Sequence, residues 1–121
     1  MTLPLIIAEG LDLSTYSAVD DALDALEPID VRAGIYKGYD AEGRLLKLSC
    51  DSGHVTIEVA ERHPTHAEEL RTLLLKYLVH IGQSPQSDSP SLSELVDATH
   101  SFARFKRPRS VWAVVWALFR R

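Results

Sequence analysis

Cysteine is nearly absent: Cys50 stands alone among 121 residues, so no internal disulfide can staple the chain. A reducing, cytoplasmic setting is the expectation from that usage. No apolar stretch approaches the roughly 18 residues of a membrane span, and Met1-Thr2-Leu3-Pro4-Leu5-Ile6-Ile7 lacks the basic start of a secretion signal. Phosphate-cradling glycine loops are also missing, because Gly34, Gly38 and Gly43 sit in strand and turn sequence with no helix directly after them. Nucleotide binding therefore has no support. Charge of one sign is absent from each end of the chain. Residues 1 to 30 hold Glu9, Asp12, Asp20, Asp21, Asp24, Glu27 and Asp30 without a Lys or Arg. Residues 98 to 121 hold Arg104, Lys106, Arg107, Arg109, Arg120 and Arg121 without an Asp or Glu. This segregation either neutralises itself within the fold or presents two faces to partners.

The composition that remains, 45% hydrophobic and 25% charged, is ordinary for one soluble globular domain spanning residues 1–121. Leu3-Pro4-Leu5-Ile6-Ile7 reads as a short strand, with Pro4 at its start or on an edge. Tyr16, Val19, Leu23 and Leu26 recur at helical spacing, which predicts a helix over about 15 to 27 with Pro28 as its stop. Its other face carries Asp20, Asp21, Asp24 and Glu27. Asp20 and Asp24 lie one turn apart, which costs a few tenths of a kcal/mol in an isolated helix.

The period then changes to two. Val31, Ala33 and Ile35, then Leu46, Leu48 and Cys50, then Val55, Ile57 and Val59 alternate with polar or small residues. Turns at residues 39–43 and Asp51-Ser52-Gly53 make these an antiparallel meander. Helical period returns in Leu70, Leu73, Leu74, Tyr77, Leu78 and Ile81, which predicts a helix over about 66 to 81 opened by the capping box Thr65-x-x-Glu68. A polar loop follows at about 83–90. Ser91-x-x-Glu94 starts another amphipathic stripe, and an apolar helix is expected at about 110–119. The order β-α-β-β-β-α-α-α predicts an α+β fold: a mainly antiparallel sheet of three to four strands with helices packed on it.

Chemistry finds little to stand on. His63 and His66 could share a metal ion only by recruiting Cys50 or Glu61, and a strand-to-helix loop explains them without a metal. Alternation places Cys50 with Leu46 and Leu48, as a buried structural thiol. Exposed acids on one helix face lack the apolar surroundings that raise a carboxyl pKa for catalysis. The basic run Arg104-Phe105-Lys106-Arg107-Pro108-Arg109 resembles a phosphate-binding patch, but the acidic first third would repel nucleic acid. These readings give a non-enzyme with no metal, no cofactor, no nucleic-acid partner and no membrane span. Trp112, Trp116 and Phe119 share one side of the C-terminal helix, which suits docking on the domain itself, a homodimer or a partner groove, or interfacial anchoring at a membrane surface.

Leu26-Glu27-Pro28-Ile29-Asp30-Val31, followed by Tyr36-Lys37-Gly38-Tyr39-Asp40-Ala41-Glu42-Gly43-Arg44-Leu45-Leu46, resembles small immunity proteins of bacterial polymorphic and contact-dependent toxin systems. The resemblance covers about residues 5 to 81. It implies a protein without chemistry of its own that neutralises a cognate toxin by occluding its active site. A toxin nuclease or deaminase with a basic cleft would meet an acidic surface of Asp20, Asp21, Asp24, Glu27, Asp30, Asp40 and Glu42, with Tyr36 and Tyr39 as aromatic anchors. The alternative is a small acidic secretion chaperone, a dimer whose apolar grooves hold an extended effector segment, with Trp112 and Trp116 at or near the interface.

Overall fold

The computed structural model describes residues 1–83 and 88–105. The centre of the fold is the run Leu5-Ile6-Ile7-Ala8 in strand β1 (Leu5–Glu9). Ile6 and Ala8 enter one core while Leu5 and Ile7 enter the other, so both pleat faces are covered. A strand buried on both sides must read as a continuous apolar run, and this one does.

Strand β2 (Asp12–Tyr16) returns antiparallel to β1, with Glu9 opposite Asp12. Gly10, at φ 60°, takes the first of the two loop positions, where a tight hairpin needs a positive φ that residues with a Cβ resist. Helices α1 (Val19–Ala25) and α2 (Pro28–Ala33) follow, then strands β3 (Tyr36–Tyr39), β4 (Leu45–Asp51) and β5 (His54–Val59). All five strands form one antiparallel sheet in the order β2-β1-β3-β4-β5. Helices α3 (Ala67–His80) and α4 (Leu92–Phe105) complete the described residues.

The sheet separates two apolar layers. On one face, Leu70, Leu74, Tyr77 and Leu78 of α3 and Leu95 and Val96 of α4 pack on Ile6, Ala8, Leu13 and Tyr39. Tyr77 meets Phe102 edge to face at 6.5 Å. On the other face, Ala22, Leu26 and Val31 from the α1–α2 segment pack on Leu5, Ile7 and Leu46, flanked by the half-buried Leu48, Cys50, Val55, Ile57 and Val59. The α+β class and antiparallel sheet agree with the sequence reading.

The details differ in four places. The helix expected over 15 to 27 is strand β2 followed by the shorter α1, because the Gly10 hairpin holds Asp12–Tyr16 against β1. Val31-Ala33-Ile35 is not strand: Pro28 occupies a first-turn position and starts α2 rather than stopping α1, consistent with its fixed φ and missing N–H. The sheet accordingly has five strands. The Thr65 capping box does not form, since its hydroxyl donates to Glu61 and His66 is the N-cap. By contrast, Ser91 Oγ accepts the Glu94 N–H at 3.1 Å, as expected. Gly43 is demanded by close approach: a Cβ there would lie 2.4 Å from the Ala67 Cα at the start of α3.

Candidate acidic face

The residues proposed for partner binding divide between two environments. Burying Ala22 and Leu26 turns the other side of the α1 segment outward, and Asp20, Asp21, Asp24 and Glu27 are exposed on it. Asp20 and Asp21 occupy the first turn, where the helix dipole favours a negative charge. No basic residue occupies the last turn of α1, so Asp24 has no such local compensation, while Glu27 is the N-cap residue of α2. None of the four forms an ion pair among the described residues.

Asp30 continues this surface in the first turn of α2, and its carboxylate accepts the Tyr36 hydroxyl at 3.4 Å. Burial, with the nearby carboxylates Asp30 and Glu9, raises the Tyr36 pKa, although a bond to the Glu27 backbone opposes this. The phenol stays neutral and can donate. Arg32 is the one cation between residues 19 and 33.

Sequence reasoning missed two apolar neighbours of these acids. Ile29 is 76% exposed and Ile35 42%. Positions two apart on a helix point to nearly opposite sides, so burying Val31 turns Ile29 out. Reading Pro28 as a helix start would have revealed this.

Three other proposed residues do not belong to the face. Tyr39 projects from the opposite side of the sheet, is only 2% exposed, and donates its hydroxyl to Glu69 at 2.8 Å. Burial and this bond to a carboxylate raise its pKa well above the usual range. Asp40 is wholly buried as the organiser of the β3–β4 turn. Its carboxylate accepts the N–H groups of Thr2, Glu42 and Arg44 at 3.1, 3.0 and 2.9 Å and the Arg44 guanidinium at 3.1 Å. Glu42 is exposed, but it accepts from Arg44 at 2.5 Å and lies beyond the end of β3 opposite Tyr36. Chain alternation alone could not foresee this turn network. Trp112, Trp116 and Phe119 and the helix expected at 110–119 lie outside the described residues, as does the middle of the 83–90 loop.

Two further polar clusters tie elements together. Thr15 and Ser17 hold the two ring nitrogens of His100 at 2.7 and 3.1 Å, fastening α4 to the end of β2. Glu61 holds His66 Nδ1 at 2.7 Å, takes the Thr65 hydroxyl and accepts the Leu45 N–H at 2.9 Å. Among the described residues, no three His, Cys, Asp or Glu side chains are grouped to hold a metal ion.

The hydrogen-bonded carboxylates imply an acid limit to stability. Desolvation pushes the Glu61 pKa up, but Thr65, Leu45 and His66 outweigh it and lower the value from 4.5 to about 2. Asp40 is lowered in the same way by its donors against burial, and Glu69 is lowered by Lys37 and Tyr39. Carboxyls with depressed folded-state pKa values stabilise fully above their unfolded values and lose that contribution as pH falls through the folded ones. The melting temperature should therefore be flat near neutrality and fall between about pH 4.5 and 2, with Glu61→Gln reducing the slope. An unchanged slope in that variant would remove Glu61 from the explanation.

No family model, no curated protein and no solved structure matches the chain. Among the described residues no helix is long and apolar enough to cross a membrane.

Proposed function

We propose that this chain is a non-catalytic binding protein of the immunity type, which neutralises a cognate bacterial toxin by covering a basic active-site cleft. The observation that carries the reading is the outward row Asp20, Asp21, Asp24 and Glu27, without internal ion pairs among the described residues and next to the exposed Ile29. Apolar contacts supply an anchor, while acids without ion pairs among the described residues steer a cationic partner and make association depend on salt. Asp30 and Tyr36 extend the same surface with a hydroxyl–carboxylate pair. A nuclease or deaminase cleft built to hold phosphates has the complementary charge.

The test is capture of the tagged chain's partner from its native cells at about 50 mM and 500 mM salt, followed by co-expression with that partner in a growth assay. The expected result is one stoichiometric basic protein that is retained better at low salt and whose toxicity the chain abolishes. A partner that is harmless alone, or whose toxicity persists in the complex, contradicts the reading.

A further inference from the structure

Strand β5 is an outer strand of the sheet, and its sequence His54-Val55-Thr56-Ile57-Glu58-Val59 has few of the usual guards of an edge, Glu58 being its one acid. It contains no proline and no lysine, and its pairing with β4 runs without a bulge from His54 to Val59. The ladder fixes which backbone groups remain open. Ala60 N–H donates to Leu45 C=O at 2.8 Å, so Ala60 and the alternate residues Glu58, Thr56 and His54 direct their backbone groups to β4. Val55, Ile57 and Val59 direct theirs away from it. Their side chains lie on the α1–α2 face, where all three are only half-buried at the margin of the core.

We infer that β5 is a self-association edge, pairing antiparallel with β5 of a second copy about a two-fold axis at Thr56. In this register Val55 lies opposite Ile57 of the second copy, and each exchanges both backbone hydrogen bonds with the other. The half-buried Val55 and Ile57 become a continuous apolar strip across the axis. On the other face His54 lies opposite Glu58 of the second copy, and Thr56 opposite Thr56.

Polar complementarity selects this register. Within one chain Lys47 is paired with Glu58 and Asp51 with His54. The two-fold axis joins these pairs into a row Lys47, Glu58, His54, Asp51 in which donors and carboxylates alternate across four strands. Histidine has an N–H donor in either protonation state, so the row is satisfied throughout. Centring the axis on Ile57 instead places His54 opposite Ala60 and Glu58 opposite Thr56, and the alternation is lost. A basic partner strand could satisfy Glu58 but would not use the donor His54; a second copy uses both.

The experiment is sedimentation velocity of the full chain over a concentration series, with substitutions confined to exposed side chains of β5. The wild type should pass from monomer to dimer as concentration rises. Thr56→Lys sets two cations together on the axis and should weaken dimerisation by about tenfold or more while leaving the thermal melt of the monomer near that of the wild type. Glu58→Lys should weaken it as well, because it sets a cation opposite His54 of the second copy and beside Lys47 of its own chain. A chain monomeric throughout the series overturns the proposal, as does a dimer unaffected by Thr56→Lys or by Glu58→Lys.

Discussion

Asp40→Ala should destabilise the domain by about 3 kcal/mol or more, read as a drop in the urea midpoint at unchanged slope. The size follows from what the carboxylate holds. It is completely buried and receives three backbone N–H groups and one guanidinium nitrogen. Removing it strands those donors in a turn that closes β3 on β4 and secures Thr2 beside them. The Arg44 charge is not wholly abandoned, because Glu42 also accepts from it. Most of the loss therefore belongs to the unsatisfied backbone. Asp40→Asn keeps the shape and one acceptor oxygen and should recover part of the deficit. A loss below about 1 kcal/mol for the alanine variant would mean that water or turn rearrangement replaces the carboxylate.

Leu74→Ala is the second large effect, at about 2–5 kcal/mol. Leu74 is fully buried in α3 and packs in the core formed with Ile6, Tyr39, Leu70 and Leu78. Side chains on several elements converge there, so the surroundings cannot collapse fully into the vacated volume. Val79, five positions further along the same helix, is 68% exposed. Val79→Ala should stay within about 0.5 kcal/mol of the wild type and serves as the control for helix propensity. Similar losses from both substitutions would place the buried side of α3 wrongly.

Legibility in the sequence followed the strength of each periodic signal. The stripe from Leu70 to Ile81 is wide and repeats for several turns, and α3 appears where it predicts. Leu46-Leu48-Cys50 and Val55-Ile57-Val59 also lie together on one side of the sheet, as alternation requires. Between Gly10 and Gly34 the signals are short and compete. Tyr16 and Val19 fit one helical stripe, and only the pairing of β2 with β1 assigns Tyr16 to a strand. Pro28 can follow a helix or open one, and the choice determines whether Val31 and Ile35 belong to a strand.

The same distinction divides the site. Acids on the α1 segment are exposed wherever it buries Ala22 and Leu26, so Asp20, Asp21, Asp24 and, just beyond the helix, Glu27 could be placed from spacing. Proximity in the chain groups Tyr39 and Asp40 with them. However, one belongs to the opposite core and the other is consumed by the turn beneath it. Such burial depends on Glu69 and Thr2, 30 and 38 positions away, and no local pattern reports it.

The central claim is that the exposed acids of α1 recognise a cationic protein, and its most direct test is the affinity of the captured partner for the wild type and for Asp20→Asn/Asp21→Asn/Asp24→Asn at about 50 mM and 500 mM salt. Salt should weaken the wild-type complex, the triple variant should bind about tenfold or more weakly at low salt, and the two should converge at high salt while both remain folded. Equal affinities at low salt, or wild-type binding indifferent to salt, would contradict that claim.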